Sequence, residues 1–378
     1  MKMLTLSNQL LAIHQCKEFL LNKGTTGVVA TIRAVINSKP NEYSVIRRHT
    51  HVATANNTTT LLSFKNYFPS KLQQTLNVFP LTARYSKHTI QTTTKMSNTS
   101  DDIKIHNYYN VALEVVMKCG PLLREGYGVA DADYKQKTAT YDLVTVYDKK
   151  VEDILVEGLQ TAFPESKIIG EESASESGKL PELTDAPTWI IDPIDGTTNF
   201  IHRIPHWCIS VGLAINRELV VGIVYNPIAN DMYSAWKGHG AYLNGQRIHV
   251  RKCTEMNDAV LAFEVSIIHA ALVRDKYVKR LSKLAAHSTG TRCMGSAALT
   301  LCYVASGRFD CYHVEDLMPW DIAAGAVILR EAGGLLYHSK GGEFNIMKPD
   351  LTAAASPELV KTMVGLIEEA DALTFTFK

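Results

Sequence analysis

The first 95 residues contain very few acidic side chains. Glu18 and Glu42 stand there against 12 lysines and arginines, which gives this segment a net charge of +10. It is rich in Ser, Thr and Asn, and only residues 10–21 show the pattern of a short amphipathic helix. This composition predicts a mitochondrial transit peptide or a disordered extension, with Met96 as an alternative start.

The sequence also lacks an apolar run of membrane-spanning length and the hydrophobic region of a signal peptide. We therefore predict a cytoplasmic protein without a membrane partner, or a mitochondrial one if residues 1–95 are a transit peptide. The 7 cysteines are odd in number and scattered along the chain. Such spacing predicts reduced, buried thiols rather than a disulfide framework.

Basic residues are in deficit after residue 95. The whole chain has 39 bases and 38 acids, so subtracting the first segment leaves 27 bases and 36 acids, a charge of −9. This excess of acids argues against nucleic-acid binding by the body of the protein. An acidic body needs bound cations to accept an anionic substrate, because only they reverse the local sign of charge.

The most informative segment is residues 189–200. Three apolar residues, typical of a buried strand, lead into Asp192 and Asp195, and Gly196 follows. Ionised carboxylates at the end of a buried strand are costly unless a positive charge neutralises them. A hard cation such as Mg²⁺ suits clustered aspartate oxygens. The alternative is an acidic turn in which Gly196 supplies a positive φ.

Acidic residues also stand at three other predicted element boundaries. Asp148 precedes an amphipathic segment, Glu171 and Glu172 follow a short apolar run, and Asp321 precedes an apolar helical segment. Asp148 and Asp321 have an alternative as helix N-caps, and the two glutamates have one as a solvated loop. A single shared site explains all four positions, because element ends are where chains deliver functional groups.

These segments resemble the signatures of the inositol monophosphatase family. The matching residues are Gly170-Glu171-Glu172-Ser173, Trp189-Ile190-Ile191-Asp192-Pro193-Ile194-Asp195-Gly196-Thr197-Thr198-Asn199-Phe200 and Trp320-Asp321-Ile322-Ala323-Ala324-Gly325. The resemblance covers about residues 100–372. It implies an α/β fold, the layered αβαβα sandwich of the metal-dependent sugar phosphatases. Residues 96–378 would form this catalytic domain, with lobes at about 96–250 and 251–378, after the extension of residues 1–95.

The resemblance further implies two Mg²⁺ ions. One would be held by Glu171, Asp192 and the backbone carbonyl of Ile194. The other would be held by Asp192, Asp195 and Asp321, so that Asp192 bridges the two. Paired ions clamp the attacking and leaving oxygens of a phosphoryl displacement and lower the pKa of the attacking water.

Catalysis would also use a hydroxyl group, again by resemblance. Thr197, backed by Asp148, would orient the water, with Glu171 close by. Phosphate oxygens would meet backbone N–H groups around Gly196 and Thr197. The alternative for Thr197 is a turn residue that caps the segment after Gly196.

The substrate contacts form a wider set. They would be Asp195, Gly196, Thr197, Gly295, Ser296, Ala297, Glu315 and Asp321. The small residues at 295–297 are equally typical of a helix start. The family glutamate that touches the inositol ring falls on Val314, with Glu315 next to it. Either the loop shifts so that Glu315 reaches the ring, or ring recognition differs here.

The predicted function is Mg²⁺-dependent hydrolysis of inositol monophosphate to inositol and phosphate. By resemblance, the enzyme would be a homodimer and would be inhibited by Li⁺. Two alternatives stay open: a sister phosphatase acting on a bisphosphorylated nucleotide or sugar, and a non-catalytic dimeric paralogue.

Hydrophobic patterns also predict individual elements of the domain. Helices are expected at about 105–126, 270–286, 296–306, 321–332 and 356–370. Strands are expected at 208–215, 219–225, 246–250 and 309–314, with turns at Asn216-Arg217 and Asn244-Gly245.

Overall fold

The computed structural model of the protein describes residues 100–128, 134–136 and 143–374, together with two short strands. These strands, β1 (Val29–Thr31) and β2 (Val52–Thr54), pair antiparallel. The chain divides into two compact units, Met1–Thr94 and Lys95–Lys378. The helix predicted at 10–21 lies outside the described residues.

A seven-stranded sheet forms the first half of the second unit. Its strands are β5 (Lys167–Gly170), β6 (Thr188–Asp195), β7 (Cys208–Ile215), β8 (Glu218–Asn226), β9 (Asp231–Trp236), β10 (Ala241–Leu243) and β11 (Gln246–Ile248). They follow one another across the sheet in chain order, and β5 and β6 are parallel while the other pairs are antiparallel. A separate antiparallel pair, β3 (Tyr134–Gln136) and β4 (Leu143–Thr145), precedes them.

A five-stranded mixed sheet forms the second half. Its strands are β12 (Val260–Phe263), β13 (Gly290–Arg292), β14 (Cys311–Val314), β15 (Leu335–His338) and β16 (Leu351–Ala354). Their order across the sheet is β13-β12-β14-β16-β15, with β12 parallel to both of its neighbours. The first sheet ends at Ile248 and the second begins at Val260.

Helices cover both sheets and fill the space between them. They are α1 (Ser100–Gly128), α2 (Val146–Ala162), α3 (Glu171–Ser177), α4 (Thr197–Ile201), α5 (Ala271–Ala286), α6 (Ala297–Ala305), α7 (Pro319–Glu331) and α8 (Pro357–Asp371), with short 3₁₀ helices at Met256–Asp258 and Ser266–His269. Helices α1 and α2 pack outside the first sheet, α6 and α7 pack between the sheets, and α5 and α8 pack outside the second. This layer order confirms the predicted αβαβα sandwich. None of the described helices has both the length and the apolar character needed to cross a membrane.

The predicted turns form where the sequence places them. Asn216 and Arg217 both have positive φ between β7 and β8, and so do Asn244 and Gly245 between β10 and β11. Two successive positive φ angles match the right-handed twist of a two-residue hairpin. Helix α1 starts five residues earlier than predicted, because Asp101 and Asp102 in its first turn favour a helix N-terminus.

Two glycines let α7 lie directly on the first sheet. Gly212 of β7 and Gly222 of β8 are cross-strand partners. A Cβ atom at Gly222 would lie 2.2 Å from the carbonyl oxygen of Ala324 in α7, and one at Gly212 would lie 2.7 Å from the Ala323 side chain. The bare backbone of this pair therefore sets the distance between the sheet and the helix that begins just before Asp321.

Substitution of Gly222 by Ala tests this packing. Because the contact is with backbone, which cannot move aside cheaply, we expect a loss of about 1–3 kcal/mol in the free energy of unfolding. Urea denaturation measures it. The matched control is Gly365→Ala in α8, where a Cβ meets nothing within 4 Å, and about 0.5–1 kcal/mol of stabilisation is expected from helix propensity. Equal stability of G222A and the unsubstituted protein would contradict the packing argument.

Candidate metal centre

An irregularity in β6 brings two carboxylates to the same side. Asp192 lies opposite Ser210 of β7, and Asp195 lies opposite Cys208, so three steps along β6 match two along β7. Residues three apart on a regular strand point to opposite faces, but one extra residue restores the same face. Pro193, which has no N–H group for the ladder, stands in this bulge.

A third carboxylate completes a buried cluster. Ligand oxygens of Asp192, Asp195 and Asp321 all lie within 4.8 Å of one another. Within the described part of the chain, no lysine or arginine forms an ion pair with any of the three. Three acids that face one another without a positive partner fit a divalent cation with oxygen ligands.

Burial and mutual repulsion act on the protonation of this cluster. Burial, followed by the charges of Glu171 and Asp195, raises the pKa of Asp192 well above its ordinary value. Burial and the charge of Asp195 do the same to the pKa of Asp321. The pKa of Asp195 rises only to about 6, because hydrogen bonds to its charged form oppose the effect of burial. Protons and metal ions therefore compete for the same oxygens.

The start of α6 supplies the hydrogen bonds to Asp195. Its carboxylate accepts from the Ser296 hydroxyl at 2.5 Å and from the N–H groups of Ala297 and Ala298 at 3.2 and 2.8 Å. The predicted helix start at 295–297 is thus real, and this segment lies beside the cluster. The N–H of Gly295 donates to Glu264 at 2.9 Å.

Asp321 stands in the first turn of α7 rather than at its N-cap. Met318 is the N-cap, and its N–H donates to Asp321 Oδ2 at 2.7 Å. The N-cap alternative for Asp321 is therefore wrong by three positions. One carboxylate oxygen closes the helix end, and the carboxyl group still reaches the cluster.

Asp148 stands in the first turn of α2, as Asp321 does in α7. Thr145 is the N-cap, and its hydroxyl and N–H donate to Asp148 Oδ2 at 2.6 and 2.8 Å. The other oxygen, Oδ1, lies 3.5 Å from the Thr197 hydroxyl. That hydroxyl also lies 3.0 Å from the carbonyl oxygen of Ile194. Burial, followed by the charge of Glu171, raises the pKa of Asp148 to about 8.

Glu171 is the first residue of α3, directly after β5. It lies outside the group of three carboxylates, but its charge contributes to the raised pKa of Asp148 and of Asp192. Both glutamates stand in α3, and Glu172 is buried, so the solvated-loop alternative is wrong. The charge of Glu171 contributes to the raised pKa of Asp321 as well.

Gly196 allows the segment after the bulge to turn tightly. Its φ is 94°, and a Cβ there would lie 2.9 Å from the carbonyl oxygen of Gly295. Asn199, for which the sequence predicts no role, connects this region by donating to the carbonyl oxygens of His206 at 2.7 Å and Met294 at 2.8 Å. The signal for it in the sequence is its position within the acidic segment of residues 189–200.

Glu315 has partners away from the cluster. Its carboxylate pairs with Lys276 at 2.7 Å and with the buried Arg280 at 2.6 Å, and it accepts from the Ser339 hydroxyl. Burial alone would raise its pKa, but these three partners lower it to about 2. The Tyr277 hydroxyl also holds its backbone N–H and carbonyl, at 3.0 and 2.9 Å. Glu315 thus fastens the loop before α7 to α5.

Comparison with known proteins gives one consistent family. The model of the inositol monophosphatase family matches residues 104–372. The chain is 42% identical over 247 residues to "Inositol monophosphatase 3" of Solanum lycopersicum, covering 64% of this chain and 90% of that protein. It is 36% identical over 261 residues to "Inositol monophosphatase 2" of Homo sapiens, covering 69% and 90%.

Solved structures agree with the sequence relatives. The structure of inositol monophosphatase from Anabaena superposes with a TM-score of 0.62 at 28% identity, covering 70% of this chain and 97% of that one. The similarity therefore extends over nearly the whole of that protein's fold.

The acidic cluster predicts that Mg²⁺ stabilises the protein more as pH rises. Carboxyls with a raised folded pKa favour the folded state at low pH and lose this contribution as pH rises through the folded pKa. The relevant window runs from the ordinary value of about 4 to about 8 for Asp148 and about 6 for Asp195. Calorimetric melting with Mg²⁺ and with EDTA should show a larger Mg²⁺-induced rise in Tm at pH 8 than at pH 5. An equal rise at both values would contradict the competition between protons and metal.

Proposed function

Because the chain belongs to the inositol monophosphatase family, we propose that it hydrolyses inositol monophosphate to inositol and phosphate. The enzyme would be a phosphoric monoester hydrolase that depends on a divalent metal. One observation supports this most strongly. The β6 bulge gathers Asp192 and Asp195 with Asp321 beside a hydroxyl that already faces a buried aspartate.

Glu171, Asp192 and the Ile194 carbonyl would hold one Mg²⁺. Asp192, Asp195 and Asp321 would hold a second. The three clustered oxygens and the lack of a basic partner within the described residues support this assignment. Bound Mg²⁺ would supply positive charge to the phosphate and lower the pKa of the attacking water.

The residues of the chain would position the reacting groups. The Thr197 hydroxyl lies 3.5 Å from Asp148 Oδ1 and 3.0 Å from the Ile194 carbonyl oxygen. In the reaction it would donate its proton to Asp148 and offer its lone pairs to the water, which would fix the direction of attack. Phosphate oxygens would meet the backbone at Gly196 and Thr197. Gly196 allows the loop at Gly295 to pack against this turn, because a Cβ atom there would lie 2.9 Å from the carbonyl oxygen of Gly295. The rigid bulge keeps these groups in place before substrate arrives.

Ring recognition would rest on residues 295–297 rather than on Glu315. The Glu315 carboxylate is engaged with Lys276 and Arg280, and Val314 is a buried strand residue. This arrangement is also the observation that favours the second candidate, a sister phosphatase with a bisphosphorylated nucleotide or sugar as substrate. On family resemblance we further propose a homodimer in the cytoplasm, or in mitochondria if residues 1–95 are a transit peptide.

Asp192→Asn tests the bridging role. The unsubstituted protein should release phosphate from inositol 1-phosphate in Mg²⁺ and not in EDTA. D192N should lose at least about a hundredfold in rate, because second-sphere changes alone cost 10–100-fold and this change removes a ligand. A colorimetric phosphate assay measures both.

Asp153→Asn, a change of an exposed aspartate on α2, serves as the matched control for loss of one negative charge. No release by folded protein in Mg²⁺ would defeat the proposed function. A D192N rate equal to that of D153N would defeat the bridging role.

Glu315→Gln separates ring contact from loop anchoring. If Glu315 anchors the loop before Asp321, E315Q should lower the rate by a similar factor, about tenfold, for inositol 1-phosphate and for glycerol 2-phosphate, which has no ring. Steady-state kinetics give KM and kcat for each substrate.

A rise in KM confined to inositol 1-phosphate would instead show that Glu315 contacts the ring. The same assay with fructose 1,6-bisphosphate and adenosine 3′,5′-bisphosphate addresses the second candidate. Faster turnover of either one than of inositol 1-phosphate would favour it.

A further inference from the structure

A buried carboxylate on α2 has no part in the proposed chemistry. Glu152 is 1% exposed. Its Oε2 accepts from the N–H of Glu172 at 2.8 Å, and its Oε1 accepts from the N–H of Ser173 at 2.9 Å and from the Ser173 hydroxyl. These donors belong to the first turn of α3, where N–H groups have no partner inside the helix. A carboxylate at this end also interacts favourably with the helix dipole.

Glu152 and Asp148 share one face of α2. They are four residues apart, so their side chains lie on the same side of the helix. Asp148 points at Thr197, and Glu152 points at the start of α3. One rigid helix therefore connects the hydroxyl proposed to orient the water with the segment that carries Glu171.

The chain on both sides of Glu171 is in contact with Glu152. A Cβ atom at Gly170 would lie 2.8 Å from the Glu152 carboxyl carbon, so no other residue fits there without moving that group. Glu172 and Ser173 donate to its oxygens. Glu171 therefore stands between the close approach of Glu152 to Gly170 and the two backbone hydrogen bonds that Glu172 and Ser173 donate to Glu152.

We propose that Glu152 is a positioning residue that holds Glu171 at its metal. The inference rests on the metal role proposed for Glu171. The positioning role explains why the Glu152 carboxylate is buried beside the start of α3. It also explains why a glycine, Gly170, directly precedes Glu171. Second-sphere groups that orient metal ligands typically contribute 10–100-fold to metal affinity.

Glu152→Gln is the direct test. The amide keeps the size of the side chain but turns one acceptor into a donor that faces an N–H group. Mg²⁺ binding to the full-length protein, measured by titration calorimetry, should weaken by about tenfold or more. The matched control is Glu157→Gln, an exposed glutamate on the same helix, which should bind Mg²⁺ like the unsubstituted protein.

Two further variants cover the case in which E152Q does not fold. Gly170→Ala displaces the carboxylate without changing any charge and should also weaken Mg²⁺ binding. Ser173→Ala removes only the hydroxyl donor and should weaken it by about threefold, the loss expected for one hydrogen bond. Excess Mg²⁺ should restore the phosphatase rate of each folded variant, because the ligands themselves are intact.

A purely structural role gives a different result. It would lower the Tm of the metal-free variants and leave the Mg²⁺ dissociation constant unchanged, and that outcome overturns the proposal. The titration does not depend on turnover. If the unsubstituted protein binds Mg²⁺ without releasing phosphate, the proposed function fails, while a weaker affinity in E152Q and G170A still supports the positioning role.

Discussion

The extra residue in β6 is the constraint on which the site depends. Without it, Asp192 and Asp195 would point to opposite faces of the sheet, one toward α1 and α2 and the other toward α7. With it, both turn toward the first turn of α7 and meet Asp321. Pro193 suits the irregular position because it has no N–H to leave unpaired. The bulge thus allows a buried core strand to present two carboxylates, Asp192 and Asp195, on the same side of the sheet.

Gathering these acids is unfavourable in the absence of a cation, and the surrounding elements limit the cost. Asp321 and Asp148 each use one oxygen to close the helix on which they stand. Asp195 receives three hydrogen bonds from the start of α6. The raised pKa of each acid shows that uncharged donors do not fully replace a positive charge. A bound cation would therefore still stabilise these carboxylates, although they already accept hydrogen bonds from the helix ends.

The sequence predicts the parts of this arrangement that depend on local pattern. Hairpins with Asn-Gly and Asn-Arg turns, the amphipathic helices and the acidic motif are all visible in it. Contacts between distant segments are not: Glu152 reaches α3 across 20 residues, and Asn199 reaches Met294 across 95. Glu315 shows the same limit, because counting along the chain cannot reveal that Arg280 and Lys276 face it from α5. The sequence locates Asp148 and Asp321 at the starts of α2 and α7. It does not show that Thr145 and Met318 are the N-caps, because an acid in the first turn can accept from the N-cap N–H group.

Anomalous X-ray scattering from a crystal grown with Mn²⁺, which prefers the same oxygen ligands as Mg²⁺, tests the central claim most directly. The account predicts one anomalous peak among the carboxylates of Asp192, Asp195 and Asp321, and a second between Asp192 and Glu171 near the Ile194 carbonyl. Saturating Mn²⁺ with no peak at the three clustered aspartates would contradict it.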